Sequence, residues 1–148
     1  MTLTELLLGL SLLGLMGSVG LTQGSQALAD QRLEHATRLL DQGLQRARRE
    51  AQRRGEPCGL HLSAAGWQTP QTGTLPPCMT VPLELPQGVR VVHNFPELLR
   101  FTANGLVLDG GTAVLSAGAH TGQRCLVMSL PLGVTRLGEM RSGRCEAS

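Results

Sequence analysis

The feature that most constrains this chain lies at its front. Glu5 is the first charged residue and Asp30 the next, so residues 6–29 carry no charge, and Leu6–Leu21 is their most apolar part. A helix over Leu6–Leu21 spans about 24 Å. That is short of a hydrocarbon core of about 30 Å, but long enough to cross it if Thr22–Ala29 enters the interface. A helix in a water-soluble core keeps one polar face. This one is apolar all round and demands lipid or complete burial. The small-residue pairs Gly14-x-x-x-Ser18 and Gly20-x-x-x-Gly24 allow close approach of neighbouring helices. Each glycine also weakens the helix by about 1 kcal/mol relative to alanine, so a local kink is an equal alternative.

From about Ser25 the pattern turns amphipathic. Leu33, Ala36, Leu40, Leu44, Ala47 and Ala51 recur at spacings of three and four, which marks one face of a helix. Glu34–Arg38 and Glu50–Arg54 are i,i+4 pairs in the favourable order. Gly55 and Pro57 stop the helix. Joined to the apolar segment, it runs from Thr2 to Arg54, about 80 Å. Thr2-x-x-Glu5 at its start is a capping box. Arg46, Arg48, Arg49, Arg53 and Arg54 crowd its end; complementing the helix dipole accounts for them better than an anion site does.

Beyond Pro57 the helical period ends. Short β-like runs follow at Gly59–Ser63, Thr80–Leu85, Val89–His93, Leu98–Ala103, Leu106–Leu108, Ala113–Ser116, Leu126–Leu130 and Val134–Gly138. Asn104-Gly105 reads as a type I′ hairpin turn, with further turns at Asp109-Gly110-Gly111 and Pro131-Leu132-Gly133. The expected fold is α+β: a long N-terminal helix, half membrane-spanning and half amphipathic, packed on a small antiparallel sheet or sandwich head. Its parts are a transmembrane and assembly helix (1–24), an amphipathic stalk (25–56) and a disulfide-containing β head (57–148).

Cys58, Cys78, Cys125 and Cys145 allow three pairings. Sequential pairing is the first choice, and the other two stay open. Each such bond adds about 3 kcal/mol on loop-entropy arguments and fits an oxidising, extracytoplasmic setting. Without a C-x₂₋₄-C or H-x₃₋₅-H pair, no metal site is expected. His35, His61, His93 and His120 are scattered. No Walker loop, nucleophile elbow, dinucleotide fingerprint or H-E-x-x-H is present, so we expect no catalytic residue, no cofactor and no enzyme. Three aromatic residues (Trp67, Phe95, Phe101) and a net charge of +2 argue against a base-stacking or DNA-coating module.

Met1-Thr2-Leu3-Thr4-Glu5-Leu6-Leu7 resembles the start of mature type IV pilins and pseudopilins: a hydrophobic first residue, an acid at the fifth position, then an unbroken apolar run. The resemblance implies that Met1 is the processed and methylated residue, cut free by prepilin peptidase. It implies that Glu5 partners the methylated amine of a neighbouring subunit during filament assembly. It also implies a single-pass protein of the bacterial inner membrane, with its head in the periplasm, drawn into a filament of other pilins or pseudopilins by inner-membrane assembly machinery. An acid in a membrane helix costs about 2.5–3.5 kcal/mol at the bilayer centre and less near an end, a cost usually offset by a partner. The basic leader of that family is not seen before Met1, so residue 1 is either the mature start or downstream of the true one. Without a leader, Arg32 and Arg38 alone would hold the head on the cytoplasmic side.

The rest is similar to the GspH/FimT-type minor pseudopilins. The similarity is carried by the stalk end Ala47–Pro57, by Gly66-Trp67, and by Leu99-Arg-Phe-Thr-Ala-Asn-Gly105. Arg124-Cys-Leu-Val-Met-Ser129 and Gly133-Val-Thr-Arg-Leu-Gly138 extend it. It implies a minor subunit of a type IV pilus or of a type II secretion pseudopilus. Some of these proteins carry a Gly-Arg-x-Arg run associated with DNA. Here Gly143-Arg144-Cys145-Glu146 keeps half of it, and Arg136 and Arg141 are the nearby candidates for phosphate contact. Two alternatives stand beside the structural subunit: a DNA-binding pilus subunit for uptake, and a secreted protein released by cleavage after Ala29.

Overall fold

The computed structural model describes residues 2–119 and 121–147, without the side chains of residues 15, 16 and 18–22. Met1 and His120 lie outside the described residues. One 52-residue helix, α1 (Leu3–Arg54), runs from the N-terminus into the head. Thr2 is its N-cap in extended backbone, and its N–H donates to Glu5 Oε2 at 3.0 Å. Gly55 ends it in the left-handed region (φ 65°), donating its N–H to Ala51 O at 3.0 Å. A residue without Cβ takes that conformation with least strain.

Among the described residues nine strands follow: β1 (Cys58–Ser63), β2 (Gly66–Gln68), β3 (Leu83–Glu84), β4 (Val89–His93), β5 (Leu99–Phe101), β6 (Gly111–Ala117), β7 (Gln123–Ser129), β8 (Val134–Arg141) and β9 (Arg144–Ala147). They form two antiparallel sheets, β3-β2-β1-β5 and β4-β6-β7-β8-β9. Residues from both sheets join the helix in one core. Leu33, Ala36, Leu40, Leu44, Ala47 and Ala51, the face expected from periodicity, are all buried beside Leu60, Leu62, Trp67, Phe101, Leu115 and Leu126. The expected α+β class with a helix on antiparallel sheets is the observed one.

Several local expectations are corrected. Thr80–Leu85 yields only the two residues of β3, because Pro82 and Pro86 bracket them and supply no N–H. Leu106–Leu108 forms no strand; a single bridge joins Phe101 to Val107. Asn104-Gly105 is not a type I′ turn, since that turn needs positive φ at both positions and only Gly105 has it. Instead Gly105 N–H bonds Thr102 O at 2.8 Å and Thr102 N–H bonds Leu106 O at 2.9 Å, closing a three-residue loop. The two-residue turn with both φ positive falls at Ser142-Gly143 (48° and 78°), between β8 and β9.

Among the described residues no helix is long and apolar enough to cross a membrane. The apolarity expected of Leu6–Leu21 is diluted by Gly9, Ser11, Gly14 and Gly17, and four of its apolar side chains, at 15, 16, 19 and 21, are not among those described.

Candidate assembly interface

No described side chain in the first half of α1 is buried by its own chain. Leu3, Leu6, Leu7, Leu8, Leu10, Leu12 and Leu13 are each more than half exposed, up to 79% at Leu3, whereas Leu33 is fully buried. Consecutive leucines project on every side of a helix, so the exposed surface is a collar rather than a stripe. Burying a leucine fully is worth about 1.5–3 kcal/mol, and this segment forgoes that contribution within its own fold.

Glu5 caps the same end. Its Oε2 accepts the Thr2 N–H at 3.0 Å and the Thr2 hydroxyl at 3.2 Å. The carboxylate therefore serves the helix start, as the Thr2-x-x-Glu5 spacing predicts. The cation expected to face it, the α-amine of Met1 in a neighbouring copy, lies outside the described residues.

The second half of α1 is the spine of the head. Trp67 on β2 lies fully buried against the helix where Gly43 leaves room: a Cβ at Gly43 would stand 2.2 Å from Trp67 Cδ1. The indole Nε1–H donates to Leu40 O at 2.9 Å. Phe95 meets the indole edge-on, with centroids 6.2 Å apart. Two polar links fix the other sheet. Thr135 Oγ1 donates to Asp41 Oδ1 at 2.6 Å, and Arg124 bridges Glu34 of the helix (3.7 Å) and Glu139 of β8 (3.0 Å). The helix–sheet linkers Gly43, Asp41 and Thr135 escape sequence reading. The one signal was a glycine on the buried side of an otherwise regular helix, which marks close backbone approach.

The arginines at the helix end are partly neutralised. Arg53 and Arg54 both contact Glu50, at 2.7 and 2.6 Å, and these hydrogen bonds hold the Glu50 carboxyl at about 2, well below the ordinary carboxylate value. Arg46 and Arg49 remain exposed.

Both expected disulfides are present, Cys58–Cys78 (Cα–Cα 5.0 Å) and Cys125–Cys145 (5.9 Å). The first ties the loop after β2 to the start of β1, where Gly59 also bonds Pro76 O and Cys78 N. The second joins β7 to β9 across the intervening β8, and Gly138 explains how. A Cβ there would lie 1.9 Å from Glu146 O, so β9 folds over β8 at a residue without a side chain.

The three arginines considered for DNA are divided. Arg136 pairs with Val127 on the outward face of β8, opposite to Thr135, which reaches the helix. Arg141 and Arg144 face one another across the Ser142-Gly143 turn, next to the Glu139–Glu146 pair, and Arg141 bonds Glu139 at 3.0 Å. The bases thus form no common stripe, and two of them have carboxylates beside them. Among the described residues no cluster of His, Cys, Asp and Glu could hold a metal.

A rod whose far half is the spine of a two-sheet head, and whose near half offers leucines that its own chain leaves uncovered, is the build of a pseudopilin-type subunit. A family model described as type II transport protein GspH matches residues 36–131, more than half of the sequence, from the stalk part of α1 to the end of β7. The chain belongs to the GspH family. Comparison with curated proteins and with solved structures found no match.

Proposed function

We propose that the protein is a structural subunit, not an enzyme: a minor pseudopilin that is held in the inner membrane by the first half of α1 and then drawn into a type II secretion pseudopilus. The observation that carries this reading is the collar of exposed leucines on the N-terminal half of a helix whose other half is locked into the head. Lipid covers the collar before assembly, and the helices of neighbouring pseudopilins cover it afterwards, with Gly14, Ser18, Gly20 and Gly24 allowing close approach. Glu5 selects the register of the stack by facing the methylated α-amine of Met1 in the next subunit. The head stands in the periplasm, where oxidation closes both disulfides. The family match favours the secretion pseudopilus over the type IV pilus. The divided arginines at 136, 141 and 144 do not favour uptake of DNA.

The test is a Glu5→Ala chain expressed beside its partner pseudopilins. It should fractionate with the inner membrane as the parent does, and should be depleted severalfold from sheared filaments. Normal incorporation would remove the role of Glu5. A mature chain beginning at Asp30, read by intact mass, would overturn the proposal as a whole, whereas one beginning at a methylated Met1 supports it.

A further inference from the structure

A cavity of about 500 Å³ opens between α1 and the loops at one end of the β4–β6 pair. Ser25, Ala29 and Arg32 line it from the helix; Gln87 and Gly88 line it from the loop before β4, and Gly118 and Thr121 from the loop after β6. Positions 25, 29 and 32 share a helix face, and the small side chain at Ala29 leaves the hollow between the other two. Arg32 is the one charged residue among the described lining residues, and it is exposed. The neighbouring acid Asp30 lines other hollows, beside Arg38 and Arg124.

The position of this cavity along the rod gives it meaning. If residues 6–24 occupy the hydrocarbon layer, as the assembly reading has it, Ser25 begins the headgroup layer and Arg32 stands about 10 Å further along the rod. Side chains on a helix lean toward its N-terminus, and a long arginine has the reach to carry its charge toward the lipid surface. Glutamine and threonine side chains beside it supply hydrogen-bonding groups, and no carboxylate is among the described lining residues, although Asp30 lines the adjoining hollow that shares Thr121. From this we propose that the cavity is a site for the phosphate of an anionic phospholipid headgroup, with Arg32 as its charged ligand. The proposal rests on the assembly reading and extends it: the head docks on the membrane it is anchored in, and must release that lipid to enter the filament.

The test uses the full chain in neutral detergent micelles doped with equimolar phosphatidylglycerol and phosphatidylcholine, with retained lipid read by native mass spectrometry. Phosphatidylglycerol should be retained about fivefold over phosphatidylcholine, the worth of one arginine at an anionic surface. Arg32→Gln should bring the two lipids to parity, while Arg46→Gln, outside the cavity, should leave the preference unchanged. Equal retention by the parent chain, or a preference that survives Arg32→Gln, overturns the inference. A second arm follows inorganic phosphate by ³¹P line broadening in undoped micelles: Arg32-dependent broadening without any lipid preference would mark a free-anion site and overturn the lipid assignment. Membrane fractionation of the same cells separates the two readings. A chain in the inner membrane with no lipid preference sinks this inference alone, and a chain absent from the membrane sinks both.

Discussion

Replacing Gly43 by alanine should destabilise the head, although helix propensity alone says the reverse. Within a helix, alanine is favoured over glycine by about 1 kcal/mol. Here the new methyl would stand 2.2 Å from Trp67 Cδ1, 2.6 Å from Nε1 and 3.1 Å from Cγ, where ordinary contact begins near 3.4 Å. The indole must retreat by about 1 Å or the helix must shift away. Retreat stretches the Nε1–H bond to Leu40 O, worth about 1 kcal/mol, and disturbs the edge contact with Phe95. Overpacking of this kind typically costs about 1–3 kcal/mol. With the lost bond and the propensity gain nearly cancelling, the net expectation is about 1–3 kcal/mol of lost stability, or very roughly 4 °C per kcal/mol in the melting temperature. Trp67 is the sole tryptophan, so its emission in the detergent-solubilised full chain reports both the local shift and, in urea, the unfolding midpoint. A Leu at position 67 has no ring to collide, so Gly43→Ala should cost at least about 1 kcal/mol less on the Trp67→Leu background, followed by circular dichroism because that chain has no tryptophan. A Gly43→Ala chain that is more stable than the parent, or an equal cost on both backgrounds, would refute the reasoning.

Gly138→Ala should hinder closure of the second disulfide, because the new methyl meets the Glu146 carbonyl; thiol titration of the purified protein should find free Cys125 and Cys145, while Cys58–Cys78 stays closed. Glu50 has a carboxyl pKa lowered from 4.5 to about 2 by Arg53 and Arg54, so its stabilising contribution is complete above about pH 4.5 and is lost as the pH falls toward 2. Glu50→Gln should therefore narrow the stability gap between pH 6 and pH 3 in denaturant titrations; an unchanged gap would show that the pairing is not felt. Thr135→Val removes the donor to Asp41 and should cost about 1 kcal/mol, as should Asp41→Ala, with the double variant costing less than their sum.

The helix was the most legible part of the chain. Its buried face from Leu33 to Ala51 follows a 3.6-residue period, and its two ends carry the local chemistry of Thr2-x-x-Glu5 and Gly55. β4 was readable because Val89–His93 is bounded by Gly88 and Pro96 and uninterrupted inside. Other features depended on partners distant in sequence. β2 is three residues long and exists because Leu62 and Leu83 flank Trp67 on either side. The Asn104-Gly105 loop takes its form beside Gln52, whose Nε2 donates to Asn104 O and whose side chain fills the space over Gly105. β9 begins at a turn whose first left-handed residue is Ser142, a residue type that gives little warning of positive φ. Of the candidate interface, the leucine collar and Glu5 could be read directly from the order of residues, whereas the cavity beside Arg32 is created by loops remote from the helix.

Because α1 is one uninterrupted helix from Leu3 to Arg54, the collar and the head are geared together. Each residue advances the rod by about 1.5 Å and turns it by about 100°. Inserting a single alanine near Ser25 would swing the head to a different bearing about the shaft, while inserting eleven, close to three full turns, would lift it but nearly restore the original heading. Whatever surface the head presents to its surroundings is thus dialled by the count of residues beneath it.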